Sequence, residues 1–410
     1  MKSIYSPDEI ERHFIRATHR KSASRNDDSK GVTMLRKIIV TFLFLFFFTS
    51  STYAADEVIR FLCLSDIHFD PFSACHGKSS CPAFRELQAA SVAEWQSILE
   101  KYSGVPAKNG QDTNFPLLHS TLNSAKIVAE QEHVQFILIL GDFLRHEFPR
   151  LYRKYSNDQS VASYQLFVKK TLQFLSQQIN HRFPKMNVYV LLGNNDTYQH
   201  DYVSQPDGDF YKDTSEVFAN LIKDKQNRAA FLDQFPLAGY YAINLSDHPD
   251  IRLMMLNSVL FSYKAKGKNV PEVAQQEMLW LQTELSAIKE KKQKAIIALH
   301  IPVALDFYAT PNLYLFTLMK FWKPRFNDQY HQVLQAFSSE ILGVYSGHLH
   351  SEWQHYLTLK HPIPMAGVPA VSPIFGGMQG FVVYTYSYPT LQFKRVKTYR
   401  LNTEPVDMNR

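Results

Sequence analysis

Six short apolar runs are spread along this chain of 410 residues, and five of them stop on side chains that bind metals. They are "VIRFLCLSDIHFD", "VQFILILGDFLRHE", "VYVLLGNND", "IRLMMLNS", "KAIIALHIP" and "ILGVYSGHLH". Runs this apolar, bounded by Gly, Asn or Asp, suit strands buried on both faces, because a strand with one wet face would alternate apolar with polar. Between them, "SVAEWQSILEKY", "LLHSTLNSAKIVAEQE", "YQLFVKKTLQFLSQQI" and "AQQEMLWLQTELSAIKEKK" repeat apolar residues at three- and four-residue intervals, the period of amphipathic helices. The alternation predicts an α/β fold. In open α/β sheets ligands sit in the crevice outside the carboxyl ends of the strands. The terminal side chains Asp66, His68, Asp142, Asn194, His300, His348 and His350 are therefore expected to meet although they are far apart in sequence.

Seven donors exceed what one tetrahedral zinc takes but suit two divalent ions, especially when a carboxylate bridges them. Oxygen and imidazole donors without thiolate favour zinc, manganese or iron over copper(I) or calcium. Two such cations clamp the oxygens of a phosphoryl group and hold a shared hydroxide, since water's pKa falls from about 15.7 to roughly 7 on a single zinc. A phosphoester attacked in line by that hydroxide is the expected substrate. Each residue has a bland reading when taken alone: Asp66 as a turn or cap residue, His300 as a hydrogen-bonded core histidine. Five strand ends that share one donor chemistry are harder to explain that way.

The blocks "DIH", "GDFLRH", "GNND", "ALHIP" and "GHLH", in that order, resemble the D-x-H, G-D, G-N-[HN]-[DE], H and G-H-x-H blocks of the calcineurin-like metallophosphoesterase superfamily. Within it the chain is similar to the secreted acid sphingomyelinase-like phosphodiesterases. These also carry a histidine four residues after the second block's aspartate (here His146), an "HIP" at the fourth block, and a tail like "GVPAVSPIFGGMQGFVVYTYS". The resemblance covers residues 58–400. It implies two stacked sheets flanked by helices, with the active site at the strand carboxyl ends. It also implies one ion on Asp66, His68, Asp142 and His350, and a second on Asp142, Asn194, His300 and His348, Asp142 being the bridge.

The chain departs from that pattern in two places. Most relatives place a histidine after the metal-binding asparagine and assign it to the transition state or the leaving group. Here the position holds Asn195, which donates a hydrogen bond but delivers no proton near neutral pH. His146 and His200 are the candidate substitutes, each with a solvated-loop reading as its alternative. The "GNND" form also resembles endopolyphosphatases. At "HIPVALDFY" the relatives usually continue with Pro-Gly, which leaves head-group specificity open. The segment before Asp66 lacks room for the saposin domain of true acid sphingomyelinase, so extraction of lipids from bilayers is not expected.

Residues 34–54, "MLRKIIVTFLFLFFFTSSTYA", read as a signal peptide: a basic start, an apolar run from Ile38 to Phe48, and a small-residue exit with cleavage after Ala54. That run is 11 residues long, against about 20 for a membrane span, so no permanent span is expected after cleavage. Residues 1–33 form a polar extension ahead of the leader, and residues 55–410 are expected to make one catalytic domain in a secreted or periplasmic protein. The first 54 residues carry nine Lys/Arg and five Asp/Glu, so the net charge of +6 falls to +2 without them, which speaks against a nucleic-acid partner. Cys75 and Cys81 suit a local disulfide and Cys63 a buried free thiol; zinc on the pair is the rival, but no second pair exists. The expected partner is a small phosphoester such as a nucleotide, a lipid head group or polyphosphate. A phosphomonoesterase or polyphosphatase on the same site, and a non-catalytic binding protein that retains the fold, are the alternatives.

Overall fold

The computed structural model describes residues 57–303 and 321–401. The extension at 1–33, the leader at 34–54 and most of the "HIPVALDFY" loop lie outside the described residues. In chain order the elements are β1 (Val58–Leu64), α1 (Pro82–Ala89), α2 (Trp95–Tyr102), α3 (Phe115–Gln131), β2 (Phe136–Ile139), α4 (Phe148–Tyr155), α5 (Val161–Arg182) and β3 (Asn187–Val190). They continue with α6 (Asp209–Ala219), α7 (Lys225–Ala238), β4 (Tyr241–Asn244), β5 (Ile251–Met255), α8 (Val270–Glu290) and β6 (Lys294–Leu299). After these come α9 (Pro324–Ala336), β7 (Ile341–Ser346), β8 (Trp353–Leu357), β9 (Ile363–Gly367), β10 (Gly380–Ser387) and β11 (Phe393–Arg400).

Two sheets result. The first runs β11-β10-β1-β2-β3, with β1, β2 and β3 parallel and β10 and β11 antiparallel beyond β1. The second runs β4-β5-β6-β7-β9-β8, parallel from β5 to β9 with an antiparallel strand at each edge. All six strands expected from the apolar runs are present. The expected helices correspond to α2, α3, α5 and α8, with ends that differ by a few residues.

The sheets stack through aromatic side chains. Phe61 of β1 meets Tyr345 of β7 edge-on at 5.2 Å, and Tyr345 lies 4.4 Å from Tyr384 of β10. Burying such a ring is worth about 1.5–3 kcal/mol. The hydroxyls are paired as well: Tyr345 bonds Tyr386, and Tyr241 of β4 donates to the Val190 carbonyl of β3 at 2.8 Å. This avoids the roughly 1–3 kcal/mol cost of an orphaned buried hydroxyl. The outer faces are covered by helices. Trp95, Phe115, Phe167 and Phe174 pack into the first core, while Met278, Leu281, Leu285, Phe326 and Tyr330 of α8 and α9 make a second one. The architecture is α/β, two sheets flanked by helices.

Because β1, β2, β3, β6 and β7 run parallel within their sheets, their carboxyl-end loops share one rim, where backbone bonds tie them together. The Asp66 N–H donates to the Gly141 carbonyl at 3.1 Å, His68 N–H to Asp142 at 2.8 Å, and Gly347 N–H to His300 at 3.1 Å. Away from that rim, Cys75 and Cys81 form a disulfide, and Cys63 is a buried free thiol. Among the described residues no helix is long and apolar enough to cross a membrane.

Candidate metal centre and active site

Each strand end delivers its donors through a short turn. β1 leads to Asp66 and His68, β2 to Asp142, β3 to Asn194, β6 directly to His300, and β7 to His348 and His350. Five of these seven residues hold a left-handed backbone: Asp66, His68, Asp142, His348 and His350 have φ between 43° and 69°. Such conformations are uncommon for residues other than glycine and concentrate at functional sites. Close crossing of the turns requires glycine beside two of the donors. A Cβ at Gly193 would overlap the Asp142 carboxylate, and one at Gly347 would stand 2.8 Å from Asp66 Oδ2.

The structure brings all seven donors together. The Leu144 carbonyl accepts from His68 Nδ1 at 3.1 Å, so the proton of that ring sits on Nδ1 and Nε2 presents a lone pair. That Nε2 lies 3.2 Å from His350 Nε2, 3.4 Å from Asp142 Oδ2 and 3.8 Å from Asp66 Oδ1. His300 repeats the arrangement: its Nδ1 donates to the Leu140 carbonyl at 2.7 Å, and its Nε2 lies 3.1 Å from Asn194 Oδ1 and 3.3 Å from Asp142 Oδ2. Asp142, His300 and His348 form one group able to hold a metal, and Asp66, His68 and Asp142 another. Donor atoms this close need positive charge between them, a proton or a metal ion, and a set of oxygen and imidazole donors without thiolate fits divalent ions. His350 Nδ1 is buried without a hydrogen-bond partner.

The titration of the site follows from its charges. Burial alone would lower His300, yet the Asp142 and Asp66 carboxylates beside it draw its pKa up to about 9. Burial would raise the Asp142 and Asp66 carboxyls, but the imidazoles around them hold both well below the usual carboxylate range. His348 goes the other way, lowered to about 3 by burial and by the neighbouring His300. The same negative field that holds a proton on His300 attracts a divalent ion.

His146 lies against this cluster, its ring stacked on His68 at 4.0 Å and its Nδ1 2.9 Å from Asp112 Oδ1. Burial lowers its pKa, but the Asp112 carboxylate outweighs that and the net shift is upward. Arg145 spans from Asp112, at 3.3 Å, to Asp70, at 3.1 Å. Asn195 is directed at Asp142, its backbone N–H 2.7 Å from Oδ1 and its side-chain amide 2.9 Å from Oδ2. His200 is exposed and does not line the cavity above the cluster. That cavity, about 270 Å³, is bordered by Asp142, His146, Asn194, Asp201, His348 and His350, with Tyr202, Lys264 and Phe375 at its sides.

Asp112, Asp201, Tyr202 and Lys264 belong to no donor block and carried no signal in the sequence. Asp196, the last residue of "GNND", accepts from the N–H groups of Phe143, Leu144 and Gly193 and so joins the β2 and β3 turns. Burial and the charge of Asp142 push its pKa up to about 7 against those donors.

The model of the calcineurin-like phosphoesterase family matches residues 59–352, which contain every one of these donors. The chain belongs to this family. Among curated relatives of the phosphoesterase, the cyclic GMP-AMP phosphodiesterase SMPDL3A of Rattus norvegicus is 23% identical over 337 residues, covering 80% of this chain and 66% of that protein. The acid sphingomyelinase-like phosphodiesterase 3b of Homo sapiens is 22% identical, covering 85% of this chain and 72% of that protein. An endopolyphosphatase of Neurospora crassa is 20% identical over 60% of this chain and 32% of its own length. Among solved structures, a dimetal phosphatase from Danio rerio has a TM-score of 0.49 at 13% identity, covering 83% of this chain and 95% of that one.

Proposed function

We propose that the chain is an exported phosphoester hydrolase that works with two divalent ions, zinc before manganese or iron, and that phosphodiesters are its substrates. One observation carries the reading: Asp142 Oδ2 stands 3.4 Å from His68 Nε2 and 3.3 Å from His300 Nε2, so a single carboxylate oxygen faces a donor of each group. Asp66, His68, Asp142 and His350 would hold one ion, and Asp142, Asn194, His300 and His348 the other. Two ions bound there would supply a clamp on the phosphoryl oxygens and a water acidic enough to lose its proton near neutral pH.

The protein's own groups do the rest. Asn195 donates twice into Asp142 and fixes the plane of the bridging carboxylate, so the residue that replaces the usual histidine serves positioning. His146 borders the cavity with Nδ1 engaged by Asp112, which leaves Nε2 to give a proton to the departing oxygen. His200, outside the cavity lining, takes no part in this account. The phosphodiesterase names of the rat and human relatives support a diester, and the Neurospora relative motivates a polyphosphate comparison. The chain spans 66% of the rat relative, so the lipid, nucleotide or other identity of the ester is left to a substrate panel. Residues 55–410 form the catalytic domain in this proposal and residues 34–54 its export leader; the Cys75–Cys81 disulfide supports an oxidising compartment.

Elemental analysis of the purified protein, set beside turnover of bis-p-nitrophenyl phosphate, p-nitrophenyl phosphate and polyphosphate, tests cofactor and reaction together. The proposal expects two metal equivalents and preference for the diester. Asp142→Asn should abolish turnover, and unchanged turnover in that variant overturns the assignment of the bridge.

A further inference from the structure

The segment after "GNND" turns back on the centre, and two consecutive residues of it reach two different donors. The Tyr202 N–H donates to the Asn194 carbonyl at 3.0 Å, which closes the loop 194–202 and brings Asp201 and Tyr202 to the cavity edge. Asp201 Oδ1 accepts from Asn194 Nδ2 at 2.5 Å. The Tyr202 hydroxyl lies 3.3 Å from His348 Nε2, with the two rings edge to face at 6.2 Å. Tyr202 itself has φ of 63°, and Lys266 N–H and Tyr202 O are joined at 3.0 Å, so its placement is fixed from both sides of the chain.

An asparagine amide is ambiguous as a ligand because its oxygen donates lone pairs to a cation, whereas its NH₂ repels one. Which end faces the site is decided by what holds the other end. At Asn194 the carboxylate of Asp201 takes Nδ2, and the oxygen is left pointing at His300 Nε2, 3.1 Å away. An imidazole has the same ambiguity between its two nitrogens. Here the Tyr202 hydroxyl engages Nε2 of His348. We propose that Asp201 and Tyr202 are positioning residues for the second ion, Asp201 setting the face of the Asn194 amide and Tyr202 the ring of His348. The inference rests on the two-ion reading above. Partners outside the first ring of ligands typically account for about 10- to 100-fold in metal affinity.

The test compares metal occupancy in wild-type protein, Asp201→Leu, Asp201→Asn and Tyr202→Phe. Each is loaded with zinc, dialysed against a weak chelator and analysed for bound metal; cobalt(II) spectra of the same proteins give a second readout independent of turnover. Asp201→Leu removes the acceptor, and its second equivalent should bind about 10- to 100-fold more weakly while the first is retained. Asp201→Asn keeps an oxygen that can accept from Asn194 Nδ2, so it should restore occupancy close to that of wild type. Tyr202→Phe should weaken the second equivalent and alter the cobalt spectrum. Asp201→Leu and Tyr202→Phe proteins that hold both equivalents at wild-type affinity overturn the inference and leave the two-ion reading intact. An Asp201→Asn protein as weak as Asp201→Leu overturns the amide argument, since charge and not orientation would then matter. Wild-type protein with fewer than two equivalents overturns both the inference and the reading beneath it.

Discussion

Gly193→Ala replaces a hydrogen with a methyl group at the point where the β3 turn crosses the β2 turn. Gly193 has no positive φ, so alanine meets no backbone penalty there and only space decides the outcome. The new Cβ would lie 2.6 Å from Asp142 Cγ and would overlap its Oδ1. Ordinary carbon contacts begin near 3.5 Å, so the carboxylate or the turn has to move by about 1 Å. Overpacking of this kind costs roughly 1–3 kcal/mol in stability, which a domain of this size survives. A displacement of about 1 Å at a reacting centre costs on the order of 10²-fold in rate, equivalent to about 2.7 kcal/mol of barrier. The assay is kcat/KM with bis-p-nitrophenyl phosphate, read with a thermal melt, and the control is Gly104→Ala, where a Cβ meets nothing within 4 Å. Activity should fall about 10²-fold or more in Gly193→Ala while Tm drops by a few degrees, and the control should match wild type in both. Wild-type kcat/KM in Gly193→Ala would refute the placement of Asp142 at the reacting centre.

His146→Ala should reduce turnover of an alkyl phosphodiester by about 10²-fold, and that of bis-p-nitrophenyl phosphate by much less, because a good leaving group needs no proton; an equal loss on both substrates excludes the acid role. Glu132, just past α3, accepts from Lys397 at 2.6 Å and Tyr399 at 2.5 Å, bonds that hold its carboxyl below the usual range and tie β11 to the helix layer. A lowered folded-state pKa contributes stability that is full above the unfolded carboxylate range and is lost as pH falls through the folded value. With Lys397 45% and Arg395 55% exposed, Glu132→Gln should cost no more than about 1 kcal/mol at pH 7 and progressively less as the pH is lowered through the carboxylate range; denaturant unfolding across that range measures this, and a loss that grows toward acid contradicts it.

Except for β9, the parallel strands were legible in the sequence because burial on both faces removes polar residues from them, as in the uninterrupted "FILI" of β2. Three of the antiparallel additions, β4, β10 and β11, were hidden for different reasons. β4 has four residues, too few to show a period. β11 reads "FKRVKTYR" and has no buried residue, so its edge position makes it look like a charged loop. β10 is buried throughout, but its "GFVVYTYS" follows a Gly- and Pro-rich tail, and nothing local says that it pairs with β1 nearly the whole chain away. Helix α1 escaped notice because it begins directly after the disulfide loop, where Pro82 takes its first turn and Cys81 Sγ accepts the Phe84 N–H.

The donors of the candidate centre were readable as residue types at strand ends, whereas the groups that orient them were not. The apolar run of β3 leads into an asparagine and so does that of β5, yet the two amides have different fates. Asn257 sends its Nδ2 to the Ala238 carbonyl at 2.7 Å and the Tyr211 hydroxyl at 3.1 Å, and serves packing. Asn194 is claimed by Asp201, and its oxygen faces His300. The sequence shows an apolar run ending in an amide in both cases; only the tertiary partner separates them. The left-handed backbone at five donor positions is equally invisible, because Asp and His enter that region more readily than most residues but still only in a minority of places, so the residue type does not announce it. It persists because bonds between turns over-determine it: the Asp66 N–H goes to Gly141, the His68 N–H to Asp142, and the His348 N–H to both oxygens of Asp66. Each of those bonds links two different strand ends. The bonds between turns therefore fix the donor geometry, and the carboxylates that converge there supply the negative field an ion requires.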